Sequence, residues 1–163
     1  MSLFRTHHLL AGVALCASAL IGCATTPAPT TIADTAARTP QLSTLVRLLG
    51  DAGLADTLRG AGPFTVFAPS DDAFKALSAK TLAEMAADKE LLRSVLSFHV
   101  LAGKLASVDA KNGNLKTVHG ANVAVAKAGD FVTVEDAVVT QADLLATNGV
   151  VHIIDKVMIP PKR

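Results

Sequence analysis

The stretch between residues 40 and 98 has the hydrophobic spacing of amphipathic helices. Apolar residues recur there every three or four positions, at Leu42, Leu45, Val46, Leu48 and Leu49 and again at Leu91, Leu92, Val95, Leu96 and Phe98. This spacing predicts a helix that begins at Pro40, with Thr39 as its N-cap, and ends at Gly50 or Gly53. It predicts further helices from Ser70 to about Met85 and over residues 88–98.

The stretch after Gly103 has the alternating pattern of strands. Residues 122–127 and 131–135 alternate between apolar and polar side chains on either side of Ala128-Gly129-Asp130, which predicts a hairpin. Residues 150–159 are rich in Val and Ile and predict a last strand, and residues 64–68 predict one early strand. Helices before strands favour a single α+β domain with an antiparallel sheet over repeated βαβ units.

The first 23 residues have the pattern of a secretory signal. Arg5 is followed by an apolar run from Leu9 to Ile21, which is shorter than the roughly 20 residues that span a bilayer. The run ends in Leu20-Ile21-Gly22-Cys23, which resembles the bacterial lipobox and implies that Cys23 is acylated and becomes the mature N-terminus. The alternative is an ordinary cleavage site with Cys23 incidental. If the chain is such a lipoprotein of a Gram-negative bacterium, the resemblance implies the outer membrane, because the next residue is Ala24 rather than Asp. The protein would then face the periplasm or the cell surface.

Residues 24–40 have the composition of a tether. They contain Pro27, Pro29 and Pro40 among many Thr and Ala residues and show no hydrophobic periodicity. Such a composition buries too little apolar area to offset chain entropy, so we expect an extended segment that reaches at most about 60 Å. Residues 41–161 are then the folded domain.

The charge and aromatic content limit the classes of partner. Lys and Arg total 15 against 14 for Asp and Glu, without a long basic run, so nucleic-acid binding is not expected. Trp and Tyr, which dominate binding hot spots, are absent. Any contact with a partner is therefore expected to be weak or multivalent, and an array of lipid-anchored copies would strengthen it by avidity.

Catalytic and metal-binding patterns are missing from the sequence. The mature chain has three histidines, His99, His119 and His152, without HExxH or His-x-His spacing, and it has no GxSxG or P-loop. His99 and His152 lie in apolar surroundings and are expected to be buried, with their ring nitrogens hydrogen-bonded. Asp71 and Asp72 follow Ser70 in the first turn of a helix, where acidic side chains interact favourably with the helix dipole. This explanation is simpler than a role in metal binding or acid–base catalysis. We expect no enzyme activity, no metal and no cofactor.

Three motifs resemble those of the fasciclin domain family. Residues 65–74, TVFAPSDDAF, resemble its N-terminal signature T-x-F-A-P-[ST]-[ND]-x-A-F, and residues 148–157, NGVVHIIDKV, resemble its C-terminal signature N-G-x-[IV]-H-x-[IV]-D-x-V. Residues 96–100 resemble its Tyr-His segment, with Phe98 in place of Tyr. The resemblance implies a wedge in which helices pack on one side of an antiparallel β-sandwich.

The motif residues expected to be structural are Thr65, Phe67, Pro69, Ser70, Asp71, Phe74, His99, Asn148, Gly149, His152 and Asp155. Phe67 and Phe74 should enter the core, and Asn148-Gly149 should supply positive φ angles for a turn.

The same resemblance implies cell adhesion or contact with a matrix component, either protein or polysaccharide. In animal matrix members an Asp-Ile segment before the C-terminal signature is linked to integrin contact. Here Asp143 and Leu144 occupy that place and are the candidate interaction residues. The alternative interpretation puts Leu144 and Leu145 in the core and has Asp143 cap a turn.

A second class of function stays open. It is a periplasm-facing envelope protein that binds a small or apolar ligand or acts in a stress response. An exposed apolar cleft of several hundred Å³ would favour this class, whereas a broad exposed patch would favour adhesion.

Overall fold

A computed structural model of the chain describes residues 30–161. The six helices are α1 (Ile32–Arg38), α2 (Ser43–Asp51), α3 (Ala55–Arg59), α4 (Asp71–Lys75), α5 (Ala79–Ala87) and α6 (Lys89–Phe98), and a 3₁₀ turn covers Pro40–Leu42. The seven strands are β1 (Phe64–Pro69), β2 (Val100–Ala102), β3 (Gly113–Lys116), β4 (Asn122–Ala128), β5 (Phe131–Val134), β6 (Ala137–Ala146) and β7 (Gly149–Ile154). None of the helices within this range has the length and apolarity needed to span a bilayer.

The seven strands form one mixed sheet in the order β2-β1-β7-β6-β5-β4-β3. The predicted α+β class and the β4–β5 hairpin are confirmed. The sheet is not antiparallel throughout, however, because β1 and β7 pair in parallel, from Phe64 opposite Gly149 to Pro69 opposite Ile154. Parallel neighbours need a long crossover, and here all of the chain between β1 and β7 supplies it. An isolated bridge between Leu101 and Thr117 brings the two ends of the sheet together, so the sheet is nearly closed.

The sheet separates two hydrophobic cores. One lies between the helices and the outer face of β1 and β7 and contains Phe74, Val151 and Ile153, while the other lies inside the curled sheet and contains Phe67 and Ile154. Successive residues of a strand point to opposite faces, so β7 is buried along its whole length. Phe67 and Phe74 thus enter the core as predicted, but they enter different cores.

The predicted tether is wrong for residues 31–38, which form α1 and its cap. Thr31 and Asp34 form a capping box at the start of this helix, and Ile32 is only 1% exposed. Ile32, Ala33 and Ala36 offer a small apolar face that packs into the helical core, which the Thr- and Pro-rich composition of the segment conceals. The folded domain therefore includes Thr30–Pro40 rather than beginning at residue 41. Residues 24–29, the signal sequence and Cys23 lie outside the described residues.

Other strands also differ from the predictions: the last strand is shorter, and β2, β3 and β6 were not predicted. The last strand was predicted to reach Ile159, but the chain leaves the sheet after Ile154. β6 was not predicted, because two register shifts against β7 interrupt its alternation. Asp143, at φ 58°, lies within the second of these shifts, between Gln141 and Leu144.

Candidate functional site

The C-terminal motif begins with a junction built on Asn148. Its side-chain oxygen accepts the N–H of Ile32 at 2.8 Å, and its amide nitrogen donates to the carbonyls of Leu58 at 2.7 Å and Gly60 at 2.9 Å. Asn148 therefore ties the start of α1 and the end of α3 to the turn between β6 and β7. The predicted positive φ is wrong for Asn148, which is not among the described residues with that conformation.

Gly149 is required by a close approach of two strands. A Cβ atom at this position would lie 1.9 Å from the carbonyl oxygen of Phe64, the residue paired with Gly149 in β1. No side chain fits in that space. The glycine of the motif therefore permits β1 and β7 to pair, and its φ is positive, as predicted, at 158°.

The N-terminal motif forms the corner between β1 and α4. The Ser70 hydroxyl accepts the N–H of Ala73 and caps α4, while Asp71 accepts the Ser43 hydroxyl at 2.6 Å and the Thr44 N–H at 2.8 Å. Burial disfavours ionisation of Asp71, but these hydrogen bonds outweigh it and lower its pKa below the usual value. Asp71 thus connects α4 to the start of α2 through hydrogen bonds.

Other polar residues of the motifs also bond within the fold. The buried Thr65 hydroxyl donates to the Gly103 carbonyl and accepts the Leu105 N–H, both at 2.8 Å. Asp155 accepts the N–H of Val138 at 2.7 Å. Pro69 ends β1 opposite Ile154, where its missing N–H costs no bond to β7.

His99 and His152 are both buried and hydrogen-bonded through both ring nitrogens, as predicted. His99 Nδ1 contacts the Val95 carbonyl at 2.7 Å, and its Nε2 accepts the Met158 N–H at 3.0 Å. Burial lowers the pKa of His99 to about 4, although the bond to Val95 opposes this shift. His152 Nε2 contacts the Leu105 carbonyl at 2.8 Å, and its ring stacks on Phe67 with centroids 5.6 Å apart.

The third histidine is different. His119 packs edge-on against Phe98, and its buried Nδ1 has no hydrogen-bond partner among the described residues. Within residues 30–161 no three His, Cys, Asp or Glu side chains come close enough to hold a metal ion. The three histidines are thus not brought together.

Asp143 joins β6 to the segment around Ser107 and to His152 of β7 through hydrogen bonds. Its carboxylate accepts both the N–H of Ser107, at 2.8 Å, and the Ser107 hydroxyl, and its own N–H donates to His152 Nδ1. The Lys127 ammonium donates to the carbonyls of Ser107 and Val108. Burial opposes ionisation of Asp143, but the bonds from Ser107 outweigh it and lower the pKa of the carboxyl.

The two leucines that follow Asp143 have different environments. Leu144 is half-buried and packs against the helical core, whereas Leu145 is 67% exposed. The expectation that both leucines lie in the core is therefore wrong for Leu145, because the bulge at Asp143 shifts the alternation of β6.

The described part of the surface carries two wide clefts and a smaller one, of about 360 Å³, beside Ala146 and Thr147. The first, of about 520 Å³, combines Glu135, Asp136 and Lys156 with apolar side chains that include Met158 and Ile159. The second, of about 560 Å³, is lined by residues of the β1–α4 corner, Asp155 and Thr140. An apolar crevice between α2, α3 and β2 holds only about 30 Å³. Sequence patterns gave no signal for the clefts, because their walls come from segments far apart in the chain.

Comparison with known proteins agrees with this architecture. The model of the fasciclin domain matches residues 40–160. Protein sll1483 of Synechocystis sp. is 38% identical over 146 residues, which cover 88% of this chain and 81% of that protein. The cell surface glycolipoprotein MPB83 of Mycobacterium bovis is 38% identical over 135 residues, which cover 80% of this chain but only 60% of MPB83.

A solved structure supports the fold alone. The FAS1 domain pair of the insect cell adhesion molecule fasciclin I superposes with a TM-score of 0.64 at 19% identity, over 80% of this chain and 51% of that one. The sequence match and the fold lead to the same conclusion: this chain belongs to the fasciclin domain family.

Proposed function

We propose that the chain is a lipid-anchored, extracytoplasmic binding module that contacts a cell-surface or matrix component, either protein or polysaccharide. The observation that carries the proposal is that the polar motif side chains are used inside the fold. Asp71, Asn148 and His152 each bond to backbone or side-chain groups of distant segments. Such groups position the framework and leave recognition to the surface.

The first cleft is the best candidate for the binding surface. Its wall carries the exposed carboxylate of Asp136 and the exposed ammonium of Lys156, beside the 54% exposed side chain of Ile159. Charges of both signs around an apolar floor suit a polar macromolecular surface, in which a few apolar contacts are rimmed by ion pairs. The cleft is open and contains no Trp or Tyr, which fits a weak contact strengthened by many anchored copies.

The anchor is proposed from the lipobox-like residues 20–23 and from the relative MPB83, which is named a cell surface glycolipoprotein. Two acyl chains or more would hold the mature protein on a membrane without a spanning helix. The outer membrane is the proposed location. The proposal also includes the absence of catalysis.

A charge-reversal experiment tests the binding surface. Cells that produce the chain would be compared with cells that produce the Asp136→Lys or Lys156→Glu variant for attachment to matrix-coated surfaces and to each other. We expect each variant to reduce attachment, whereas the control Lys111→Glu, an exposed charge outside both clefts, should leave it unchanged. Equal attachment by all variants and by cells without the protein would contradict adhesion.

The alternative function is binding of a small ligand in the periplasm. It is favoured by the volume of the first cleft, which lies within the range of roughly 300–1,000 Å³ of ligand sites. The apolar crevice is too small for such a ligand. Treating intact cells with a protease that cannot enter them distinguishes the two functions. Degradation supports the adhesion proposal, and protection until the cells are permeabilised supports the alternative.

A further inference from the structure

The first described residues are fixed at one end of the domain. Thr147 donates both its N–H, at 2.9 Å, and its hydroxyl, at 3.2 Å, to the carbonyl oxygen of Thr30. The N–H of Ile32 bonds to Asn148 in the same turn. The chain therefore enters the domain beside the turn between β6 and β7.

The opposite end is defined by the parallel strands. β1 and β7 both begin at this turn, where Phe64 pairs with Gly149, and both finish where Pro69 pairs with Ile154. Residues that follow these strands line both wide clefts: Ser70 and Asp71 in one, Lys156 and Ile159 in the other. The two clefts thus lie at the end of the domain away from Thr30.

The chain between Cys23 and Thr30 is short compared with the domain. The six residues 24–29 span at most about 21 Å when fully extended. A compact domain of residues 30–161 has a radius of gyration of about 14 Å, so it is roughly 36 Å across. A chain anchored at Cys23 cannot run along the side of the domain and let the cleft end touch the bilayer. The end that holds Thr30 is therefore the end nearer to the bilayer.

The surface at that end has the chemistry of a membrane contact. Leu145 is 67% exposed, two residues before Thr147, and the exposed Lys104 borders the smaller cleft beside Ala146 and Thr147. An exposed leucine next to a lysine fits the boundary between acyl chains and anionic headgroups.

We propose that this membrane-facing end, formed by Lys104, Leu145 and Thr147, rests on the anionic lipid surface that holds the anchor. The contact orients the domain so that both clefts point away from the bilayer. This proposal rests on the acylation of Cys23 in the proposed function. It gives that function a fixed geometry, in which the binding surface is presented outward.

Tryptophan fluorescence can test this orientation without background emission from other Trp or Tyr residues. The chain has no Trp and no Tyr, so the Leu145→Trp and Ile159→Trp variants each carry a single reporter, at opposite ends of the domain and at similarly exposed positions. Each full chain would be purified from membranes and reconstituted into vesicles of phosphatidylcholine and phosphatidylglycerol, with or without bromine on the acyl chains. Bromine quenches only a tryptophan that reaches the acyl region.

We expect brominated vesicles to remove roughly half of the emission of the Leu145→Trp variant and none of that of Ile159→Trp. Adding Lys104→Glu to Leu145→Trp should reduce the quenching. Equal quenching at both positions, quenching at Ile159→Trp alone, or none at either would overturn the orientation. Matching thermal unfolding curves would establish that the variants are folded.

Flotation of the vesicles separates this test from the test of the anchor. The unaltered chain should float with the vesicles, and the Cys23→Ser variant should not. Failure of the unaltered chain to float would overturn the anchor and the orientation together. Flotation without the difference between the two reporters would overturn the orientation alone.

Discussion

Asn148 and Ile32 are joined by a hydrogen bond of 2.8 Å between positions 116 residues apart in the chain. The same amide donates to Leu58 and Gly60, so one side chain holds α1, α3 and the β6–β7 turn together. Asn148→Ala removes three hydrogen bonds and leaves the N–H of Ile32 and the carbonyls of Leu58 and Gly60 without this partner. We expect the free energy of unfolding to fall by about 3 kcal/mol, as measured by urea denaturation.

A matched control for this substitution is Asn112→Ala. The Asn112 side chain accepts a single hydrogen bond, from the Lys127 N–H at 2.6 Å, at an exposed site. Its loss should lower the free energy of unfolding by about 1 kcal/mol or less. Equal losses for the two variants would show that Asn148 is not a structural junction.

Burial of His99 makes the stability depend on pH. Below pH 6.5 the unfolded chain takes up a proton that the folded chain, with a pKa of about 4 at His99, does not bind. The contribution of His99 to the free energy of unfolding should therefore fall by about 1.4 kcal/mol for each pH unit between 6.5 and 4, and stay constant below pH 4. The pKa values of Asp71 and Asp143 are lowered from 3.8, so their contributions disappear only at still lower pH.

Urea denaturation of the His99→Phe variant checks this assignment. The variant should be less stable at pH 7, because the N–H of Met158 and the carbonyl of Val95 lose their partner. Its free energy of unfolding should nevertheless change less than that of the unaltered chain between pH 6.5 and 4.5. The same pH slope in both proteins would assign the effect to other groups.

The close approach at Gly149 predicts a large effect of a single methyl group. Gly149→Ala would place a Cβ atom against the Phe64 carbonyl and force β1 and β7 apart. We expect a loss of about 3 kcal/mol or more and a clearly lower melting temperature. Gly113→Ala in β3, where nothing lies within 4 Å of the added carbon, is the control and should melt within a few degrees of the unaltered chain.

Substitution of Asp143 should increase the local mobility of the segment around Ser107. Asp143→Ala removes both hydrogen bonds to Ser107 and puts an alanine at φ 58°, which should cost about 2 kcal/mol. Asp143→Asn keeps an acceptor and a residue that tolerates this φ, so it should lose less. Hydrogen exchange at the Ser107 amide measures the effect, and unchanged protection in Asp143→Ala would argue against the junction.

The sequence predicts those parts of the fold that local patterns encode. The β4–β5 hairpin follows from uninterrupted alternation on both sides of Gly129, and α6 follows from apolar residues at helical spacing after the cap Asp88. By contrast, β6 lacks alternation because of its bulges, and α1 has only three buried side chains. The capping pair Thr31 and Asp34 was a usable signal for α1.

The functional surfaces are less predictable than the fold. The partners of Asn148 and Asp143 lie tens of residues away, and no short window of sequence links them. The motif residues can be identified from the sequence, but the hydrogen bonds by which they connect distant helices, strands and turns can be identified only from the structure. The clefts depend on walls from distant segments, and the sequence carries no pattern for them.

The parallel pairing of β1 with β7 also sets the order of events during biosynthesis. β1 leaves the ribosome early, but one of its two neighbours in the sheet is the last strand of the chain. Both hydrophobic cores need residues of β7, so neither is complete until Ile154 has been made. A nascent chain of this topology stays incompletely folded during nearly all of its synthesis.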